Sequence, residues 1–410
     1  MSRAIIMLLD SFGIGYAEDA EAFGDKGADT LGHICGWMGE NRKNADGSPK
    51  YLFLPNLAAR GLQAAAVMSR KAALPYPLAQ PEPQIKGNYT YASEISNGKD
   101  TLSGHWEMMG VPVTFDWGYF PVREHCFPQA LVEAIIAQGG LPGILGEKHA
   151  SGTEIIKELG EEHIKSGKPI VYTSADSVLQ IAAHEQYFGL ERLYALCKLC
   201  YELVKPYNIA RVIARPFVGE SADTFVRTGN RHDYAVPAPE PTLLDELTAV
   251  GGSVYAVGKI ADIFAHRGIS KHYPAAGLDV IFDATKQAVS DAPDHSLVFA
   301  NFVDFDSSFG HRRDALGYGE ALEAFDRRLP EIVPLLRPDD LLLITADHGC
   351  DPRWLGSDHT REHIPVLFDG LKLPAGPLVP MRTFSDIGQT IAEYLGLKPM
   401  RRGTSAQLLK

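Results

Sequence analysis

The sequence predicts an α/β fold built around a mainly parallel sheet with helices on its faces. Three apolar runs, Ala4 to Leu9, Leu297 to Asp306 and Asp340 to Gly349, end at or pass into acids and histidines. Such runs are typical of parallel strands that are buried on both faces. A helical pattern, "GYGEALEAFDRRL", separates the last two runs. This alternation favours right-handed crossovers and a ligand site at the carboxyl ends of the strands.

The length and the middle of the chain indicate two domains. The chain has 410 residues, and residues 116–234 carry strand patterns of their own, "KPIVYTSAD" and "IARVIARPFV", with an amphipathic helical pattern, "LERLYALCKLCYELVKPY". We therefore expect residues 1–115 and 235–410 to form one catalytic core around an inserted, smaller α/β domain at 116–234. Two chain crossings would connect the insert and permit hinge motion.

Composition and charge exclude several classes of protein. No apolar run reaches the roughly 18 residues of a membrane span, and Asp10 interrupts the first run before a signal peptide is complete. We expect a cytoplasmic protein. The net charge of -12 disfavours nucleic acid and anionic membranes as partners. Five cysteines in so long a chain argue against a disulfide framework.

Acids and histidines recur where the predicted strands end or shortly after. These residues are Asp10, Asp306, His311, Asp347, His348 and His359. Carboxylates and imidazoles suit divalent zinc, manganese or iron, and six groups are enough for two ions with open positions. Two such ions clamp a phosphoryl group. One of these residues alone is more often structural, for example a helix cap, but their conjunction favours a two-metal site.

The stretch "GKDTLSGHWEMMG" at residues 98–110 has no helical or strand period and predicts a loop or a helix start. Thr101 and Ser103 each offer a hydroxyl that could attack a metal-clamped phosphoryl group. The alternative is a threonine that caps a helix N-terminus. The two interpretations are compatible, because a helix N-terminus also favours a bound phosphate.

Other motifs and alternatives carry less weight. "CKLC" at Cys197 and Cys200 lies within a predicted helix and has no second pair, which favours buried thiols over a redox or zinc site. "GIG" at Gly13 lacks the rest of a dinucleotide fingerprint. A metal-binding scaffold protein would explain the acids and histidines but not the hydroxyl. A phosphohydrolase remains open, since it would share the metals and the nucleophile.

Long, specific motifs run through nearly the whole chain. They include "DSFGIG", "GKDTLSGHWEMMG", "ASGTEI", "VYTSADSVLQIAAHE", "RVIARPFVGE", "RTGNRHDYA", "NFVDFDSSFGHRRD" and "ITADHGCDP" followed by "DHTREHIPVL". In these motifs the sequence resembles the prokaryotic phosphopentomutases of the alkaline phosphatase superfamily. It departs from them at Ser103, at Cys350 and in the loop "GENRKNADGSPKYL", and we expect none of these positions to touch a metal ligand. The resemblance implies an alkaline-phosphatase-like core sheet flanked by helices, with an inserted α/β cap domain.

The resemblance also implies roles for individual residues. Thr101 would carry the phosphoryl group. One metal would be held by Asp306, His311 and His359, and another by Asp10, Asp347 and His348 with the Thr101 oxygen; the implied ion is Mn²⁺. In the cap domain, the implied contacts to the substrate or its distal phosphate are Ser174, Asp176, Arg211 and Arg227.

The implied reaction belongs to nucleoside and pentose phosphate catabolism. It would interconvert ribose or deoxyribose 1-phosphate and the corresponding 5-phosphate by intermolecular phosphoryl transfer through a phosphothreonine. A sugar 1,6-bisphosphate would prime the enzyme, and small pentose phosphates would be its only implied partners.

Overall fold

The computed structural model describes residues 2–174 and 177–407 and confirms the predicted α/β fold. The chain divides into two compact units. Residues 2–114 and 238–407 form the first, here called the core unit, and residues 115–237 form the second, the inserted unit. Among the described residues, no helix has the length and apolar character that crossing a membrane requires.

Strands and helices alternate along most of the chain. The strands are β1 Arg3–Leu9, β2 Asn88–Ala92, β3 Leu145–His149, β4 Ile170–Thr173, β5 Val178–His184, β6 Arg211–Val218, β7 Val226–Arg227, β8 His232–Ala235, β9 Ser253–Val257, β10 Lys271–Tyr273, β11 Ser296–Phe302, β12 Asp340–Thr345, β13 Ile364–Asp369 and β14 Gly376–Pro377. The α-helices are α1 Thr30–Asn41, α2 Pro55–Ala58, α3 Leu62–Arg70, α4 Thr101–Met108, α5 Gln129–Gly139, α6 Gly152–Ser166, α7 Leu190–Val204, α8 Leu243–Ala249, α9 Ile260–Ile263, α10 Leu278–Asp291, α11 Ala315–Arg328 and α12 Ser385–Tyr394.

The core unit is built on an eight-stranded sheet in the order β10-β9-β11-β1-β12-β13-β2-β14. Its first five strands are parallel, and β13 runs antiparallel to both of its neighbours. Strand β1 lies at the centre, where Met7 is level with Ala300 of β11 and Ile344 of β12. All residues of these three strands are buried, which explains why each reads as a continuous apolar run rather than an alternating one.

A buried ion pair holds the amino ends of β1 and β12 together. Arg3 and Asp340 have side chains that are each 1% exposed, and Arg3 donates to both carboxylate oxygens of Asp340. The remaining guanidinium hydrogens go to backbone carbonyls of Val289, Ala292 and Leu335. Because every donor group of Arg3 has a partner, its charge is tolerated at this depth.

The inserted unit has a sheet of its own, in the order β3-β4-β5-β6-β7, with β8 also paired to β6. Helix α7 packs on β5 and β6, and its thiols Cys197 and Cys200 are buried in an apolar cluster. Burial raises the pKa of Cys200 to about 12 and also raises that of Cys197. The "CKLC" pair therefore lies mid-helix as two buried thiols, as predicted, and their raised pKa disfavours the reactive thiolate.

Candidate active site

Three neighbouring strands of the core sheet deliver the predicted acids to one edge. Asp10 directly follows β1, and Asp347 and His348 lie two and three residues beyond β12. Asp306 lies on a single π-helical turn, Phe305–Gly310, that follows β11. Because β11, β1 and β12 are parallel and adjacent, their carboxyl ends coincide, and residues far apart in the chain meet there.

Asp306, His311 and His359 converge at this edge. The Nε2 atom of His311 lies 3.3 Å from Asp306 Oδ2, and the Nε2 atom of His359 lies 3.4 Å from Asp306 Oδ1. The two Nε2 atoms are 3.1 Å apart. Each residue thus turns a potential ligand atom toward the other two.

A second group contains Asp10, Asp347, His348 and the hydroxyl of Thr101. The Nε2 atom of His348 lies 3.6 Å from Asp10 Oδ1, 3.2 Å from Asp347 Oδ2 and 3.4 Å from Thr101 Oγ1. The groups adjoin, because the rings of His348 and His359 have centroids 4.0 Å apart. The core-unit residues singled out from the sequence therefore form one continuous cluster.

Thr101 is the first residue of α4 and does not cap it. The cap is Asp100, whose Oδ1 accepts the backbone N–H groups of Leu102 and Ser103 at 3.0 and 3.2 Å. The alternative role considered for Thr101 is therefore wrong. Since these two N–H groups are already donated to Asp100, they are not open to a phosphate in this arrangement. The Thr101 hydroxyl is directed at His348 instead.

The loop before Thr101 is held in place by Arg361 and Lys99. Arg361 is fully buried and donates to the carbonyl of Gly98 at 2.7 Å and to Glu94 at 2.8 Å. Lys99 pairs with Asp25 at 2.9 Å. Arg361 lies two residues beyond His359, so one segment supplies a potential ligand atom and also fixes the loop that carries the hydroxyl.

Two buried residues that were given no role from the sequence, His105 and Asn301, connect the parts of the second group. His105 Nδ1 lies 2.9 Å from the Thr101 carbonyl and 3.1 Å from Asp347 Oδ2. Asn301 Nδ2 donates to Asp10 Oδ2 at 2.9 Å and lies 3.3 Å from His105 Nε2. The spacing of His105, one helical turn after Thr101, was the available signal. Asn301 lies inside an apolar strand, and the only signal in the sequence was a polar residue within a run predicted to be buried.

Cys350 is closer to the cluster than expected. Its sulfur lies within 4.8 Å of ligand atoms of Asp306 and His311, so the expectation that Cys350 touches no proposed ligand was wrong. Gly310, the last residue of the π-helical turn, permits this close packing, since a Cβ there would come within 3.0 Å of the Cys350 side chain. Although burial opposes it, hydrogen bonds with Asp306 and Cys350 raise the pKa of His311 to about 12.

The buried carboxylates perturb one another. Burial, followed by repulsion from Asp347 and Asp306, raises the pKa of Asp10 well above its ordinary value. Burial acts on Asp347 and Asp306 in the same direction, but adjacent histidines outweigh it and lower the pKa of both carboxyls. Three acids this close favour a positive charge between them.

The donor atoms fit divalent metal ions. Asp10 Oδ1, Asp306 Oδ1 and Asp347 Oδ2 are buried and make no hydrogen bond, although each faces a histidine nitrogen. A buried polar atom left unpaired costs about 1–3 kcal/mol, and more when charged. Coordination to a cation would remove that cost for all three, and the mixture of carboxylate and imidazole is a common ligand set for divalent transition metals.

The predicted cap residues lie on the sheet of the inserted unit. Ser174 follows β4, and its hydroxyl accepts from Gln180 at 3.4 Å. Arg211 begins β6 and lies 3.9 Å from Asp233, while Arg227 on β7 pairs with Phe217 near the other end of β6. At about 3.3 Å per residue their backbones are roughly 20 Å apart. Asp176 lies outside the described residues.

Comparison with known proteins defines the class first. The model of the Metalloenzyme superfamily matches residues 2–399, which is nearly the whole chain. Together with the convergent carboxylates and imidazoles, this match identifies a divalent-metal enzyme. Among solved structures, the chain is similar to a phosphoglycerate mutase of Leishmania mexicana, at 12% identity and a TM-score of 0.44, over 99% of this chain and 97% of that one.

Curated relatives define the family. A phosphopentomutase of Proteus mirabilis is 57% identical over 406 residues, which are 98% of this chain and 99% of the relative. A phosphopentomutase of Erwinia tasmaniensis is 58% identical over 408 residues, with the same shares. The chain therefore belongs to the phosphopentomutase family.

Proposed function

We propose that the chain interconverts α-D-ribose 1-phosphate, or 2-deoxyribose 1-phosphate, with the corresponding 5-phosphate by intermolecular phosphoryl transfer through Thr101. This reaction places the chain in nucleoside and pentose phosphate catabolism. The substrates are small sugar phosphates, nucleic acid is not a partner, and the site of action is the cytoplasm.

One observation carries the proposal. The Thr101 hydroxyl lies 3.4 Å from His348 Nε2, in a cluster where three buried carboxylate oxygens make no hydrogen bond. A hydroxyl beside such a cluster is suited to nucleophilic attack on phosphorus. A protein that only bound metal would have no use for a hydroxyl held in place by Asp100, Lys99 and Arg361.

The residues of the cluster have separate roles in holding the cations and in positioning Thr101. Asp306, His311 and His359 would hold one cation, and Asp10, Asp347 and His348 the other, with Mn²⁺ as the proposed ion. Bound there, the cations would neutralise charge on the transferring phosphoryl group and make the Thr101 hydroxyl easier to ionise. The chain itself keeps Thr101, Asp10 and Asp347 in register through His105 and Asn301, and this positioning is its main contribution to phosphoryl transfer.

The transfer conserves phosphate at every step. Phosphorylated Thr101 donates its phosphoryl group to a hydroxyl of the pentose monophosphate, which becomes a bisphosphate. The bisphosphate then returns its other phosphoryl group to the Thr101 oxygen and leaves as the isomeric monophosphate. A sugar 1,6-bisphosphate would prime the cycle by phosphorylating Thr101 at the start.

Residues of the inserted unit would recognise the sugar and its distal phosphate. Ser174, Asp176, Arg211 and Arg227 are the proposed contacts. Arginines outnumber the carboxylate among them: Asp233 pairs with Arg231 at 2.6 Å and lies 3.9 Å from Arg211. Burial, followed by the charges of Arg231 and Arg227, still lowers the pKa of the intervening Arg215 to about 10. Guanidiniums that repel one another in this way are stabilised by a bound anion.

The test uses enzyme treated with a sugar 1,6-bisphosphate, followed by intact mass and peptide mapping. We expect one added phosphate on the peptide that contains Thr101. Thr101→Ala should lose both the added mass and the isomerisation of ribose 5-phosphate, whereas Ser103→Ala, two residues away, should keep both. Isomerisation by the Thr101 variant would refute the proposal. Phosphorylated Thr101 that released inorganic phosphate without isomerising the sugar would identify a phosphohydrolase instead.

A further inference from the structure

A polar cavity lies in the core unit, and none of the six predicted metal ligands lines it. Its volume is about 330 Å³, and Ser69, Glu18 and His363 are among the residues that line it. None of these three has a part in the phosphoryl transfer described above. The cavity is large enough for a small organic molecule.

A chain of hydrogen bonds joins the three side chains. Ser69 Oγ lies 2.9 Å from His363 Nδ1, and His363 Nε2 lies 2.8 Å from Glu18 Oε2. The bond from His363 lowers the pKa of Glu18 to about 2, so Glu18 is a carboxylate that can only accept. His363 Nε2 therefore carries a hydrogen, and in the neutral ring Nδ1 accepts the hydrogen of Ser69.

The imidazole is fixed in its plane and position. The ring of His363 is 4.4 Å from that of Tyr91, and its backbone is bonded to Gly15 and Ile14 on the facing segment. Ser69 lies in the last turn of α3 and is 7% exposed, and His363 is 2% exposed. Hydroxyl, imidazole and carboxylate thus follow one another at the hydrogen-bonding distances used for serine nucleophiles, with Glu18 at the solvent-exposed end of the chain of bonds.

The cavity also provides positive charge and space next to Ser69. Arg70 and Lys71 follow Ser69 directly and line the same cavity, where Arg70 is already paired with Asp29 at 2.6 Å, so Lys71 is the cation that remains for a ligand. Opposite them stands Gly15, where a Cβ would come within 3.0 Å of Ser69 Oγ and 2.9 Å of Arg70. Glycine therefore leaves space next to the hydroxyl, and the positive charge of Lys71 would attract an ester that carries an anionic group.

We propose that Ser69, His363 and Glu18 form a second nucleophilic site that hydrolyses small carboxylic esters, preferably those with an anionic group. Ser69 Oγ attacks the ester carbonyl, its proton passes to His363 Nδ1, and the bond to the alcohol breaks as the alcohol leaves with that proton. Water then attacks the acyl-serine carbonyl and gives a proton to His363 Nδ1. The bond between the acyl carbon and Ser69 Oγ breaks, that proton returns to Ser69 Oγ, and the acid leaves. Lys71 binds the anionic part of the ester.

The first test is chemical labelling of the full-length enzyme with diisopropyl fluorophosphate, followed by peptide mapping. We carry it out in the Thr101→Ala background so that the phosphoryl-transfer nucleophile cannot react. The label is expected on Ser69. Label found only on other residues, or no label at saturating reagent, overturns the proposal, and neither result depends on a Ser69 variant being folded.

The second test measures hydrolysis of 4-nitrophenyl acetate and of mono-4-nitrophenyl succinate. Ser69→Ala should reduce hydrolysis to the level of buffer and Glu18→Gln should reduce it at least about tenfold, because an oriented base contributes roughly 10² to 10⁴. Both variants, made in the otherwise unmodified enzyme, should keep pentose phosphate isomerisation within about twofold, which shows that they are folded. Equal hydrolysis by Ser69→Ala and unmodified enzyme overturns the proposal.

Discussion

Replacing Asn301 with alanine is expected to weaken divalent-metal binding while leaving the fold intact. Asn301 is fully buried in β11, and its amide donates to Asp10 Oδ2 at 2.9 Å. Asp10 Oδ1 makes no hydrogen bond, so alanine would leave both oxygens of this carboxylate without a side-chain donor. The carboxylate would lose the contact that orients it before metal arrives.

The expected loss of metal affinity follows from the single hydrogen bond between Asn301 and Asp10. A hydrogen bond to a charged group contributes about 1.5–3 kcal/mol, and about 1.4 kcal/mol corresponds to a factor of ten. If the free energy of metal binding must then orient the Asp10 carboxylate, the dissociation constant for metal rises about 10- to 100-fold. This is the usual range for residues that orient metal ligands.

The assay is competition for Mn²⁺ against a chelating dye, with urea unfolding in parallel. Asn88→Ala is the matched control, because Asn88 is a buried asparagine in β2 of the same sheet and donates to the Pro374 carbonyl at 2.7 Å, away from the cluster. We expect Mn²⁺ affinity to fall only in the Asn301 variant. Equal Mn²⁺ dissociation constants for the two variants would refute the reasoning.

Three further outcomes are expected. Chelation should abolish isomerisation and added Mn²⁺ should restore it, and Asp306→Ala should bind about one metal ion fewer than unmodified enzyme by elemental analysis; full stoichiometry in that variant would contradict the ligand assignment. Arg211→Ala and Arg227→Ala should remain phosphorylatable at the nucleophile but release more inorganic phosphate for each pentose phosphate isomerised, and an unchanged ratio with an unchanged rate would count against their role. Asp340→Ala should lower the free energy of unfolding by about 3–5 kcal/mol, since it leaves a buried guanidinium without its carboxylate. The control Asp339→Ala, at the exposed neighbouring position, should change it by less than about 0.5 kcal/mol. Similar values for the two variants in denaturant titrations would show that the buried pair contributes little.

The sheet and the gathering of acids at one of its edges could be predicted from the sequence, because both rest on local patterns. Strands β1, β11 and β12 are apolar runs that end near acids, so the position of Asp10, Asp306 and Asp347 relative to the strand ends could be predicted without knowing the topology. The parallel order then brings them together. These predictions needed only burial and the general rule for ligand sites in α/β sheets.

The features that could not be predicted from the sequence depend on contacts between positions far apart in the chain or on local irregularities of the backbone. Asn301 and His105 are 196 positions apart. No periodic pattern in the sequence predicts that a buried asparagine in a strand contacts a histidine in a helix so far away in the chain. The approach of Cys350 to Asp306 joins positions far apart in the chain, and no residue pattern predicts the π-helical turn that carries Asp306. The cap at Asp100 could have been predicted, since aspartate directly before a helix is among the preferred caps.

The central position of β1 limits where the chain can change length. Asp10 is delivered by a strand whose register is set on both sides, with Met7 level with Ala300 and with Ile344. Deleting one residue from β1 would withdraw Asp10 by about 3.3 Å and turn the strand's side chains to opposite faces. Insertions and deletions in relatives should therefore fall in surface segments such as residues 42–50, while the count of residues from the start of β1 to Asp10 stays constant.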